Sequence, residues 1–173
     1  MKSAGIGVLV AAVVVFVAGA VLGLKLVTQS AEVISSAPTC ETRTVAVGED
    51  LTANLVRVNV YNASRTAGLA DRVSRLLQQR NFLPGTIANN PTDFTTDDIV
   101  IVADDADDPR VKLVQAQFAG DATVKQGTVP GVEGVSVLVG KNYAKKQLAK
   151  KAPSAMKSDR SITSCIPFAG TAD

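Results

Sequence analysis

The chain is 173 residues long, balances 18 Lys and Arg against 16 Asp and Glu for a formal net charge of +2, and contains no histidine. Without histidine the commonest general base and the commonest metal ligand are missing, so Ser-His-Asp and Cys-His nucleophiles and His-built zinc sites are excluded. The two cysteines are too few for a thiolate zinc site, and neither a Walker A loop nor a dinucleotide fingerprint occurs.

Residues 4–24 form an unbroken apolar run, with Lys2 before it and Lys25 after it. A helix rises about 1.5 Å per residue, so about twenty such residues cross a hydrocarbon core. The run therefore predicts a transmembrane signal anchor over residues 4–27, behind a short cytoplasmic tail at 1–3. A cleaved signal peptide is the rival reading, but its apolar part is shorter, about 7–15 residues. Ala18-Gly19-Ala20 offers a small-x-small site inside the run, where cutting is out of place. A lipid-attachment site at Cys40 fits poorly, because Ala37-Pro38-Thr39 precedes it. The short N-terminal tail favours N-in, C-out. Gly19 and Gly23 make a small-xxx-small pair on one helical face, a candidate seam for a weak homodimer.

A polar tether at 28–37 leads to a folded domain at 38–168, and a flexible tail is expected at 169–173. Tryptophan is absent and aromatics make up 4% of the chain, so the core must be aliphatic. Cys40 and Cys165 flank the domain, and an even pair in an exported chain reads as a disulfide. Two buried reduced thiols are the alternative.

Residues 42–47 alternate and end at Gly48, as a short strand does, and 49–54 is a polar break. Residues 55–61 alternate again, with Val56, Val58 and Val60 on one face and Arg57 and Asn59 on the other. A loop at 62–68 precedes a helix over 68–80, whose stripe is Leu69, Val73, Leu76, Leu77 and the Arg80 stem. Asp71 and Arg75 stand four apart on its flank. Asn81 ends the helix and Pro84-Gly85 turns the chain.

The β-branched run 99–102 suits a central strand covered on both faces. Asp108 caps a second helix with Pro109 at its first position, and Val111, Val114 and Phe118 line its buried face as far as Gly120. An edge strand follows at 122–125, then a strand at 135–139 closed by Gly140. Strands alternating with helices predict an α/β domain with two helices packed on a small mixed sheet.

Three features invite a chemical reading. Asp104, Asp105, Asp107 and Asp108 are a cluster of hard oxygen ligands, but their spacing misses the calcium-loop pattern and they precede a helix, whose positive end they oppose. No metal and no cofactor is therefore expected. The loop's Asn62, Ser64, Arg65 and Gly68 stand between a strand end and a helix N-terminus, where backbone N–H groups hold anions. An ordinary connection capped by Ser64 or Thr66 is the plainer account. The basic stretch from Lys141 to Arg160 reads as a solvated helix face or as a surface for anionic polymers and lipid headgroups.

The block Val58-Asn59-Val60-Tyr61-Asn62-Ala63-Ser64, then Ala67-Gly68-Leu69-Ala70-Asp71-Arg72-Val73, resembles the LytR C-terminal domain family. The strand at 99–103 and Val135 through Gly140-Lys141-Asn142-Tyr143 resemble it too, so the likeness covers about residues 56–143. Arg65-Thr66 departs from the glycine-rich turn of many members. In that family the domain ends wall-polymer ligases or stands alone behind one membrane helix, and no catalytic residue is established for it. The resemblance thus implies a non-catalytic, membrane-anchored module of the cell envelope. Its expected partners are the lipid bilayer and a wall polymer such as peptidoglycan, a glycolipid or an envelope protein; an exported domain meets no nucleic acid. The alternative is a scaffold that dimerises or recruits an envelope-synthesis enzyme through Gly19 and Gly23.

Overall fold

The computed structural model describes residues 40–120 and 122–167. The predicted span at 4–27 with Gly19 and Gly23, the tether at 28–37 and the tail at 169–173 lie outside these residues. Among the described residues no helix is long and apolar enough to cross a membrane.

The elements in chain order are β1 (Cys40–Val45), β2 (Asp50–Thr52), β3 (Arg57–Asn62), α1 (Leu69–Gln78), β4 (Leu83–Asn89), β5 (Ile99–Ala103), α2 (Pro109–Gln115), β6 (Ala122–Gln126), β7 (Val135–Val139), β8 (Ala155–Lys157) and β9 (Ile162–Pro167). Tight 3-10 turns lie at Ala53–Leu55, Ala116–Phe118 and Lys141–Lys145. Five strands form one sheet in the order β4-β3-β7-β5-β6. β3 runs parallel to β4 and β7, β5 parallel to β6, and β5 antiparallel to β7, so the sheet is mixed as expected.

Strand side chains alternate between faces, and this sheet buries both. On one face Val58, Val60, Ile99, Ile101, Val137 and Val139 join the stripes of α1 and α2 in the main core. On the other, Tyr61, Val100, Val102 and Leu138 are covered by Phe94, Val129 and Val132 from loops. This explains the unbroken apolar run of β5. Asn59 lies on the face of β3 opposite Val58 and Val60, as the alternation predicts, and that face is covered too. Asn59 is 1% exposed, donating Nδ2 to the Glu133 carbonyl at 2.9 Å and accepting from the Thr86 N–H at 2.8 Å.

Pro84-Gly85 corrects an expectation, since it lies inside β4 and makes no turn. β4 is an edge strand, where a missing N–H is tolerated. A Cβ at Gly85 would overlap Asn59 Oδ1 and sit 2.8 Å from the Val58 carbonyl oxygen, so glycine permits the approach. The pairing register shifts between Val58 and Val60.

Outside the sheet, β1 is set two residues earlier than expected and pairs antiparallel with β9, Cys40 opposite Pro167 through Val45 opposite Ile162. The Cys40–Cys165 disulfide clips this ribbon, with Cα atoms 5.4 Å apart. The polar break at 49–54 contains β2, paired with β8. The helix expected to reach residue 80 ends at Gln78, and Asn81 takes φ 66° just beyond it. The basic stretch from Lys141 to Arg160 is not an α-helix face; it forms a 3-10 turn, a connection and β8. Lys141 pairs with Asp97 at 2.9 Å and Lys157 with Asp50 at 3.1 Å.

Gly140 closes β7 against the backbone before β5. Its N–H donates to the Asp98 carbonyl at 2.6 Å, and an added Cβ would meet Asp97 Cα at 2.6 Å. Backbone cannot rotate aside, so Gly140→Ala is expected to cost about 1–3 kcal/mol, read as a lower urea midpoint.

Candidate functional site

The loop after β3 is built by its own polar side chains. Asn62 Oδ1 accepts from the Ser64 N–H at 3.0 Å and from its hydroxyl at 2.8 Å, while Asn62 Nδ2 donates to the Thr66 carbonyl at 2.8 Å. The Ser64 oxygen then accepts from the Thr66 N–H at 3.1 Å. Gly68 caps α1 at φ 72° without a side chain, and Arg65 is exposed. The four residues thus share one loop, with Asn62 and Ser64 engaged in shaping it. The pattern repeats after β4, where Asn90 Oδ1 accepts from the Thr92 N–H at 2.9 Å and hydroxyl at 2.8 Å, and Nδ2 donates to the Phe94 carbonyl at 2.7 Å. The Asn90 N–H donates to the Asn62 carbonyl at 3.0 Å. Two matching turns therefore sit side by side at the ends of adjacent parallel strands. The sequence signal for the second was Asn90-Pro91-Thr92, echoing Asn62-Ala63-Ser64.

At the opposite end of the sheet the aspartates find cations within the chain. Asp108 caps α2, accepting from the Arg110 N–H at 2.8 Å, and its carboxylate pairs with the Arg110 guanidinium at 2.5 Å. Asp107 pairs with Lys112 at 2.8 Å. Arg160 bridges Asp105 and Asp159. Among the described residues no cluster of acidic or cysteine ligands could hold a metal ion. Burial pushes the Asp108 carboxyl up, but the hydrogen bonds from Arg110 outweigh it and hold the group below its ordinary value. The Arg160 hydrogen bond, then the Asp107 N–H, lower Asp105. Arg160 likewise lowers Asp159.

A carboxyl whose folded pKa is lowered stabilises the fold fully above its unfolded value, about 4, and that contribution is lost as pH falls through the folded value. The urea midpoint is thus expected to drop as pH is taken from neutrality to below about 3. Asp108→Asn keeps a capping oxygen and loses the charge, so it should flatten the drop.

A cleft of about 400 Å³ opens beside this end, lined by Arg57 from the start of β3, Leu83, Arg110 from the first turn of α2, Glu133, Thr42 of β1 and Ser164 of β9. A second, of about 260 Å³, shares Arg110 and reaches Asp104 and Asp105. β3 begins at Arg57 and ends at Asn62, so the clefts and the 62–68 loop occupy opposite ends of the sheet.

Ser154-Ala155-Met156-Lys157 has the S-x-x-K spacing of Ser-Lys nucleophiles. The arrangement differs from that chemistry. Ser154 directly precedes strand β8 rather than opening a helix, and Lys157 pairs with Asp50 at 3.1 Å.

The chain is similar to the crystal structure of the soluble domain, residues 71–217, of a conserved hypothetical secreted protein from Mycobacterium marinum. The two share 24% identity at a TM-score of 0.45, over 61% of this chain and 78% of that one. No curated protein matches. The model of the family described as LytR cell envelope-related transcriptional attenuator matches residues 55–143, from the turn before β3 into the turn after β7. By this match over half its length, the chain belongs to the LytR C-terminal domain family.

Proposed function

We propose that the chain is a non-catalytic module that supports cell envelope integrity. Residues 4–27 anchor it in the membrane, N-in and C-out, and the folded domain lies outside the cytoplasm, where it binds a wall polymer, a glycolipid or an envelope protein. The observation that carries this reading is the family match over 55–143. The apolar run of the first segment supports the anchor, and the absence of histidine from the whole sequence supports a binding role over catalysis. The 62–68 loop takes part as a rigid platform. Its shape is set by Asn62 and Ser64, and Arg65 and the first N–H groups of α1 remain for a partner.

A deletion strain tests the proposal. It is expected to become hypersensitive to wall-directed antibiotics, to recover with the full 173-residue chain, and to recover less when a cleavable signal peptide replaces residues 4–27. Unchanged sensitivity of the deletion strain would sink the envelope role, and full rescue without the span would sink the anchor.

A further inference from the structure

The larger cleft lies between the disulfide-clipped ribbon and the leading edge of the sheet. Its lining carries two guanidiniums, Arg57 and Arg110, against one carboxylate, Glu133. Both guanidiniums are steadied by contacts that leave donors over. Arg57 gives Nη1 to the Pro84 carbonyl at 2.9 Å and forms no ion pair among the described residues. Arg110 gives Nε and Nη2 to Asp108, at 3.0 Å and 2.5 Å, and keeps Nη1. A guanidinium carries five N–H donors in a planar fork, matched to the paired oxygens of phosphate or carboxylate. Groups already held in place lose little entropy on binding.

Glu133 narrows the ligand class. Its backbone is fixed by Asn59 through the carbonyl contact at 2.9 Å. Its carboxylate repels a bare anion and accepts hydrogen bonds from hydroxyls. The wall opposite is the ribbon, lined by Thr42, Thr163 and Ser164; Thr42 and Thr163 share one face of it, so their hydroxyls lie on the same side. A ligand satisfying both sides carries an anionic group together with hydroxyl groups.

We propose that this cleft binds a sugar-borne anion, its phosphate or carboxylate against Arg57 and Arg110 and its ring hydroxyls against Glu133, Thr42 and Thr163. The size suits such a ligand, since small-molecule sites start at about 300 Å³. The proposal names a ligand class for the binding role above and rests on that role. Its test is separate from the antibiotic phenotype, so the two fail independently.

The full chain in detergent micelles is titrated calorimetrically with glucose 1-phosphate, glucuronate and glucose. One or both anions bind and glucose does not; which anion binds separates a phosphate source from a carboxylate source. Arg57→Gln and Arg110→Gln each weaken binding by about 10-fold or more, as expected for a lost charge-assisted hydrogen bond. Arg75→Gln, on the far flank of α1, changes nothing. Glu133→Gln strengthens binding of inorganic phosphate, a gain that a folding defect cannot produce. The proposal is overturned if neither anion binds, if glucose binds as tightly, if Arg57→Gln binds like the parent, or if Arg65→Gln alone abolishes binding. A weaker phosphate affinity in Glu133→Gln also counts against it.

Discussion

Replacing Cys40 and Cys165 by serine lowers the unfolding free energy by about 2–5 kcal/mol. The bridge joins residues 125 apart in sequence, and a clip across so long a loop removes much of the freedom of the unfolded chain. Its Cα separation of 5.4 Å lies within the natural range of about 4.4–6.8 Å. The ribbon it closes has little else to hold it. β1 buries only Val45, and β9 only Ile162, beyond the partly covered residues near the bridge. The rest of its stability is a ladder of six residue pairs, and an isolated two-stranded ribbon is marginal in water. Urea unfolding with and without dithiothreitol measures the effect in the native chain, and the double serine variant should match the reduced protein. Hydrogen exchange should locate it, with the amides of β1 and β9 losing protection before those of β5 and β7. Equal midpoints in the oxidised and reduced proteins would refute the stabilising role. Because Thr42 and Thr163 form one wall of the charged cleft, reduction is also expected to weaken anion binding there.

The strands legible in the sequence were those with an apolar signal of their own. β3 and β7 alternate or run apolar, and β5 is a continuous β-branched run buried on both faces. The Asp108-Pro109 start of α2 was legible because cap chemistry is local. β2 and β8, three residues each, carry too few side chains to show a period. They exist because a distant segment offers a partner. Pro84-Gly85 misled for a physical reason: the residues that make a turn are also those tolerated at an edge strand with a close backbone approach. The loop at 62–68 was legible as a loop and as a unit. The inward role of Asn62 and Ser64 was not, since their acceptors and donors are largely the loop's own backbone. The cleft was illegible altogether. Arg57, Arg110 and Ser164 stand more than fifty residues apart in the sequence and meet only through the sheet order and the ribbon.

Phe118→Ala is expected to cost about 3–5 kcal/mol, the range for deleting a buried aromatic ring. Phe118 is fully buried, in the tight turn Ala116–Phe118 that extends α2. Its ring meets that of Tyr143 edge-to-face, with centroids 5.5 Å apart and planes at 72°. Tyr143 belongs to the turn that follows β7, so this pair joins the end of α2 to the end of the central sheet. The neighbouring Gln117 fastens the same turn, donating to the Pro153 carbonyl at 2.9 Å and accepting from Arg80 at 2.8 Å. With the backbone so tied, the walls cannot collapse into the space the ring leaves, and the cost falls at the upper end of the range. Phe118→Leu keeps most of the volume and should cost far less. Total stability of a small domain is about 5–15 kcal/mol, so the alanine variant removes a large share of it. Urea midpoints at unchanged slope read the loss directly; a loss below about 1 kcal/mol would mean that the site closes up. The family match runs from residue 55 to residue 143, so its last residue is the ring that packs on Phe118. The core runs on past the matched segment: Leu148, and Ile162 of β9, are buried in the same cluster, Met156 of β8 packs against it, and pairing and the disulfide tie β8 and β9 in place.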